Sequence, residues 1–352
     1  MRTVRTLITL TTDFGYQSQG LGQIRIIIVG IAAKAGIELP TVVDYAHGLP
    51  AHNLLAVART METLAQMDYS MFERRAHVCV VDPSVGTKQK RIIVETNQGD
   101  FLIGPNNGAL MPAAQAFGGI KKVVEIANSA YWNERAVSHI FHGRDRFAPA
   151  AAHLVSGVSI DKFGSVVSES ELAAPAFVEA RINEDRQFDA RIICINHYGS
   201  VHLNIRHAQW DAWLQQGVDR MVNVTVNEKT ISVPIVDTFG EVEKDQPVIL
   251  KDDYGRICLA LNQGRFSDKY GLKEGDQVSI QGVALPLQLV QSKREQGTTR
   301  TVVQKLYMQP MWTYVLRHRT QVTSVGRDDR GVYVRLGETI FHPQGGGQQA
   351  DT

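Results

Sequence analysis

At 352 residues, 43% hydrophobic and 21% charged, the chain has room for two or three domains with cores of their own and is too apolar to be disordered. Its 37 Lys and Arg balance 36 Asp and Glu for a net charge of +1, which excludes a global attraction to nucleic acid or acidic membranes. The longest apolar run, Ile26 to Ala33, stops at eight residues, far short of the roughly 20 that span a bilayer, and Asp13 ends the stretch behind Arg2 and Arg5 too early for a signal sequence.

Short β-rich runs at Leu7 to Thr12, Pro40 to Asp44, His77 to Val81, Arg91 to Glu95 and Lys122 to Ile126 predict strands. Helical spacing of apolar residues over Gln23 to Ala35, Asn53 to Gln66 and Pro149 to Ser156 predicts helices among them. This alternation predicts an α/β domain over residues 1–180 with a largely parallel, helix-flanked sheet. Ser168 to Asp189 is rich in Glu, Ala and Ser without strong periodicity, the pattern of a linker or covering segment at a boundary. Beyond it, Ala190 to Ile195, Val201 to Ile205, Met221 to Val226, Ile231 to Val236, Val248 to Leu250, Ile257 to Leu261 and Gln277 to Gln281 predict short strands. They imply an all-β, barrel-like domain over residues 188–290, with a hairpin turn between Val226 and Thr230. Residues 291–352, from the polar run Gln291 to Gly297 onward, form a partial third segment: about 60 residues are few for an independent core. Cys79, Cys194 and Cys258 stand singly in apolar stretches without CxxC spacing, which predicts buried thiols in a reducing cytoplasm.

Ligands of α/β proteins bind beyond the carboxyl ends of parallel strands, so the segments that follow the predicted strands matter most. Four place a short polar side chain beside Gly or Pro: Thr11 to Gly15, Val81 to Thr87, Gly104 to Gly108 and Phe141 to Asp145. Taken singly, Asp13 or Asp82 fits a turn former or helix cap as readily as a catalyst. The Asp13-Phe14-Gly15 triplet lacks the glycine-rich loop and the other motifs of a protein kinase. His139 and His142 suggest a metal pair, but no third ligand at sensible spacing accompanies them. Arg144 and Asp145 fit an ion pair or helix cap as well as a substrate contact. His197, His202 and His207 recur at a spacing that suits neither strand nor helix and read as surface or turn residues.

Together, and in this order, the four segments resemble the S-adenosyl-L-methionine hydroxide adenosyltransferases, relatives of the fluorinases and chlorinases. The run Val43 to Pro50, the run Ser138 to Pro149 and Leu259 to Gly264 extend the resemblance over most of residues 5–285. It implies hydrolysis of S-adenosyl-L-methionine at C5′ to adenosine and L-methionine without metal or cofactor. It also implies a site shared between the first domain of one subunit and the barrel of its neighbour in a homotrimer. Displacement at C5′ expels a neutral thioether, so the leaving group needs no general acid; the task is to align and activate one water. The resemblance assigns that task to Asp82, His142 and an Arg seven positions after the Asp, which here is Gln89. It assigns the ribose hydroxyls to Asp13, makes Ser138 and Tyr198 pocket candidates, and puts Asn196, Ser200 and Asp253 at barrel positions for the methionine ends. Ser84 and Asn106 are further departures from the family pattern. The altered Gln89, Asn196 and Asp253 suit an alternative, an adenosyl-binding module with little or no turnover.

The last segment resembles the opening of an AlaX-type alanyl-tRNA editing domain through Lys305-Leu306-Tyr307 and the run Thr339 to Thr352 with its triplet Gly345-Gly346-Gly347. The zinc-binding motifs of that family would lie further on, which implies a fragment of a longer fusion and a second alternative, that this chain is the auxiliary half of a tRNA-editing fusion protein. Nucleic-acid binding is not expected of residues 1–352 themselves, given their near-neutral charge.

Overall fold

Thr6–Thr12 is buried along its whole length, as a strand covered on both faces must be, and it forms an inner strand of the first sheet (β1). The computed structural model describes residues 4–134, 138–215, 218–284, 304–305, 322–328, 331–336 and 338–339. After β1 come α1 (Gln19–Lys34), β2 (Thr41–Ala46), α2 (Leu54–Thr63), β3 (Arg74–Val80), β4 (Arg91–Thr96), β5 (Asp100–Pro105), α3 (Met111–Ala116), β6 (Ile120–Glu125) and α4 (Ala148–Val155). Ser18 caps α1 through Gly20 N–H, and Asn53 caps α2 through Ala56 N–H.

The sheet order is β2-β1-β3-β5-β4-β6. The pairs β1–β2, β1–β3 and β3–β5 are parallel, whereas β4 runs antiparallel to both β5 and β6. The largely parallel sheet is thus present, with one strand the pattern did not announce. β5 follows β4 after three residues turned by Gly99 at φ 83°, so the two apolar runs merge in the sequence. Helices α1 and α4 cover one face, packing on Ile8, Leu10, Val80, Ile93 and Ile103; α2 and α3 cover the other, packing on Val81, Ile92, Val94 and Leu102. The segment after Ser168 is a cover for that second face: Phe177 is buried in it and Ala176 N–H bonds to Gly108 O.

The second sheet is built from β7 (Arg181–Ile182), β8 (Phe188–Ile195), β9 (Val201–Arg206), β10 (Val218–Val226), β11 (Lys229–Pro234), β12 (Pro247–Lys251), β13 (Arg256–Leu261) and β14 (Gln277–Ala284). Its order is β11-β10-β14-β8-β9-β13-β12, and an Ile235↔Ile249 bridge links the two ends into a nearly closed barrel. Asn227 and Glu228, both at positive φ, form the two-residue hairpin turn expected there. Helices α5 (His207–Leu214) and α6 (Phe266–Tyr270) were not signalled; α5 buries Trp210 and Trp213 in the barrel core beside Phe188.

A buried ionic network joins α2 to the barrel. Arg59 donates to Glu62 and Asp252 at 2.8 Å each, and Arg256 donates to Glu62 Oε2 at 3.1 Å and to Glu179 at 2.5 Å. His202 belongs to it, with Nδ1 2.7 Å from Asp252 Oδ2, and His207 Nε2 lies 3.0 Å from Arg256 O. His202 is therefore largely an interior anchor, and His207, partly exposed at the start of α5, is tied down by its backbone partner rather than lying in a turn; partners distant in sequence give no periodic signal. His197 is exposed, as read. All three cysteines are free; Cys79 and Cys258 are buried, while Cys194 is only partly so.

Met1–Leu285 and Pro286–Thr352 are two compact units. In the second, β15 (Gln304–Lys305) pairs in parallel with β18 (Glu338–Thr339), and β16 (Val322–Asp328) with β17 (Gly331–Leu336) as a hairpin. Leu306, Tyr307 and the glycine triplet lie outside the described residues. No helix among the described residues is long and apolar enough to cross a membrane.

Candidate active site

β1 delivers Asp13 at its carboxyl end, and the run from Val43 to Pro50 fixes the loop that follows. Gly15 N–H bonds to His47 O at 2.7 Å, and His47 Nδ1 lies 3.0 Å from Thr12 Oγ1. The imidazole of His47 is fully buried, and burial lowers its pKa. His52, a non-glycine residue at φ 63°, points its N–H at Asp13 Oδ2, 2.9 Å away. A residue held in that sparsely populated region, beside a carboxylate at a strand end, marks a constrained site.

β3 delivers Asp82. Ser84 N–H donates to its Oδ1 at 3.1 Å, yet burial prevails and raises the pKa of the carboxyl. The third segment braces this loop from behind: Asn107 Nδ2 donates to Val81 O at 2.9 Å, and Gly104 packs so tightly on β3 that a Cβ would stand 2.8 Å from Cys79 O.

The fourth segment leads into a π-helical turn, Gly143–Phe147, a form that recurs at functional sites. Gly143 is required for approach, since a Cβ there would lie 2.6 Å from Val80 Cγ1. His142 is buried, with Nδ1 3.9 Å from Asp82 Oδ2, beyond hydrogen-bond length, and with no hydrogen-bond partner among the described residues. Burial first, then the charges of Arg146 and Arg91, push its pKa down to about 4, so the imidazole is neutral at pH 7. Arg144 clasps its neighbour Asp145 at 2.7 and 2.8 Å. Burial alone would raise the Asp145 pKa, but hydrogen bonds from Arg144, Asn133 and Ser138 outweigh it and lower it. The Arg144–Asp145 ion pair locks the loop that carries His142.

Asp13, Asp82 and His142 converge on one cavity of about 290 Å³, walled by Phe14, Phe141, Val80 and Phe147. Phe14 and Phe141 meet edge to face at 5.8 Å and bind the first and fourth segments together. A larger groove of about 1250 Å³ runs along the covering segment and the barrel, and none of the predicted site residues lines it.

The other predicted residues stand apart from this cavity. Gln89 is turned away, donating from Nε2 to Asn106 O at 3.2 Å. Lys90 is held by Glu171 at 2.6 Å and Lys88 is exposed. Ser138 is a loop brace, its N–H on Asp145 at 2.7 Å and its Oγ on Ile140 N–H at 3.2 Å. Asn196 closes the β8–β9 turn by accepting from Tyr198 and Ser200 N–H at 3.0 Å each. Tyr198 is 74% exposed, and Asp253 is exposed in the β12–β13 turn. His52 was missed because a backbone N–H leaves no trace in residue type. Among the described residues no three His, Cys, Asp or Glu side chains group as a metal site would need.

Comparison with known proteins follows these two sheets. The profile of the SAM hydroxide adenosyltransferase N-terminal domain matches residues 8–164, and that of the C-terminal domain matches residues 190–279. The chain is similar to an (R)-S-adenosyl-L-methionine hydrolase of Salinispora tropica, 32% identical over 275 residues that make up 78% of this chain and 97% of the relative. It is also similar to a fluorinase of Actinopolyspora mzabensis, 22% identical over 78% of this chain and 97% of that one. A solved structure of an uncharacterized conserved protein from Thermotoga maritima superimposes with a TM-score of 0.66 at 25% identity, over 78% of this chain and 99% of the other. Two matching domains in the same order, with a relative covered almost end to end, place this chain in the SAM hydroxide adenosyltransferase family.

Proposed function

We propose that the protein hydrolyses S-adenosyl-L-methionine at C5′. The observation that carries this reading is the convergence of Asp13, Asp82 and neutral His142 on one cavity at the carboxyl ends of β1 and β3; the printed name of the Salinispora relative supports it. Water oxygen forms the new bond to C5′ as the C5′–sulfur bond breaks, and the electron pair of that bond returns to sulfur, leaving neutral methionine thioether. The water proton passes to Asp82 or His142, both proton acceptors near pH 7. Asp13, with one oxygen fixed by His52, takes the ribose hydroxyls.

A cavity of about 290 Å³ lies at the lower end of the roughly 300–1,000 Å³ usual for ligand sites. Asn196, Tyr198, Ser200 and Asp253 lie outside it, so the barrel of a second copy would receive the methionine half, in a closed homotrimer. The functional halves are residues 1–180 and 188–290. The three free thiols support a reducing cytoplasmic setting. For residues 291–352 the reading is a segment like that of an AlaX-type editing domain, supported by the sequence resemblance of Lys305 to Tyr307 and Thr339 to Thr352 alone.

The test is incubation of the pure chain with S-adenosyl-L-methionine, with and without chelator, followed by chromatography. Equal release of adenosine and methionine in both samples is expected. Tight adenosine binding without release would favour the binding module, and chelator-sensitive release would overturn the metal-free mechanism.

A further inference from the structure

We propose that Arg91, the first residue of β4, is a positioning residue whose guanidinium supplies the site with the positive charge that Gln89 lacks and keeps Asp82 a carboxylate; this rests on the hydrolase reading. Strand direction is the first support. Because β4 runs antiparallel to β5, its beginning lies at the edge where β3 and β5 end. Val78 is level with Ile103 and Arg91 with Pro105, so two residues further along Val80, Pro105 and Arg91 share one row. Two strand spacings make Val80 and Arg91 about 10 Å apart at Cα, within reach of an arginine side chain toward the Asp82 loop.

Side-chain alternation is the second support. Ile92 and Val94 pack under α2 and α3, whereas Ile93 packs under α1 and α4. Arg91 shares the parity of Ile93 and so turns to the face that holds Val80 and the π-helical turn after His142. On that face Arg91 Nε is buried without a hydrogen-bond partner among the described residues, as is Nδ1 of His142 in the cavity wall. Buried unpaired polar atoms are rare in native proteins, and two on the face beside one site call for a functional account.

Electrostatics agree. Burial raises the Asp82 pKa, and Arg91 is the cation that counters it. The other titratable groups around Asp82 are Asp13 and His52 across the cavity, Cys79 beneath it, and His142. Behind His142 stand His139, Asp145 and Arg146, the last stacked 4.0 Å above the Trp132 ring. Lys90 is held by Glu171 and Glu125.

The experiment compares wild type with Arg91→Gln, Arg91→Lys and the double variant Gln89→Arg/Arg91→Gln. It reads the pH profile of adenosine release and the 13C titration of the Asp82 carboxyl in unliganded protein, assigned with Asp82→Asn. Arg91→Gln should move the acid limb of kcat and the Asp82 titration up together by about one pH unit, with KM within about twofold. Arg91→Lys should keep both near wild type, and the arginine returned at position 89 should bring the limb back. An equal loss of rate at every pH, with the Asp82 titration unmoved, would overturn the proposal. If Arg91→Gln does not fold, the Asp82→Asn background decides: folding restored there supports the pairing, and failure in both backgrounds overturns it. If wild type releases no adenosine, the hydrolase reading fails while the Asp82 titration still answers for Arg91.

Discussion

Burial acts on Asp82 and His142 in opposite directions, raising the acid and lowering the base, because in each case it disfavours the charged form. With the His142 pKa pushed down to about 4, the imidazole is uncharged across the neutral range, and only on the acid side do it and the Asp82 carboxylate lose their basic forms. Activity should therefore be lost as pH drops through the raised Asp82 pKa, with no further inflection above pH 6. A pH profile of kcat checks this, and an inflection between pH 6 and 8 that vanishes in His142→Ala would contradict it. Asp82→Asn and His142→Ala should each lower kcat by about 10²- to 10⁴-fold, the usual range for a general base, while adenosine affinity measured by calorimetry changes little. Both residues were legible in the sequence, since each lies in a Gly- or Pro-marked segment, Asp82 just after β3 and His142 just before the π-helical turn. Gln89 and Ser138 were legible only as positions in a motif. The backbone turns them away, Gln89 toward Asn106 O and Ser138 toward Asp145, and residue type carries no record of that direction.

At the level of elements, the π-helical turn Gly143–Phe147 sets how closely His142 approaches β3. Gly143→Ala would drive a methyl group into Val80 Cγ1, at 2.6 Å if nothing moved. Overpacking of this kind costs about 1–3 kcal/mol, so thermal unfolding should shift down, and adding Val80→Ala should recover part of the loss. No recovery would mean that Val80 is not what Gly143 must clear. The joint between α2 and the barrel yields a pH prediction. Burial alone would raise the Asp252 pKa, but His202 and Arg59 outweigh it and hold the group at about 2. An unfolded Asp titrates near about 4, so this contribution is complete above pH 4 and is lost as pH falls toward 2. Asp252→Asn should lower stability at pH 7 by about 2 kcal/mol and flatten the acid slope between pH 4 and 2, as read by urea unfolding. A slope unchanged from wild type would assign the acid sensitivity elsewhere. The strands that frame these features follow from alternation, whereas β5 was hidden by a three-residue turn and α5 by its short length. The α2–barrel network, formed between residues nearly 200 positions apart, has no local signature.

For the molecule as a whole, the sequence carries two domains in a recognisable order, and the described chain places Asp13, Asp82 and His142 on one cavity while the barrel candidates face elsewhere. The barrel residues serve the site of another copy, the site of their own chain or no site, and mixing of variants separates these. Asp82→Asn disables the first domain of a chain and leaves its barrel intact; Tyr198→Ala with Asp253→Ala does the reverse, at two exposed positions whose loss should not unfold the barrel. Each variant alone should be nearly inactive. Coexpressed in equal amounts in a closed ring, an intact first domain meets an intact neighbouring barrel at about one site in four, so about a quarter of wild-type activity should return. Light scattering of the same samples should give three copies per particle. If the barrel variant alone is fully active, Tyr198 and Asp253 hold no part of the substrate. If both variants are inactive and mixing restores nothing, the site is assembled within one chain, and the shared-site trimer is wrong.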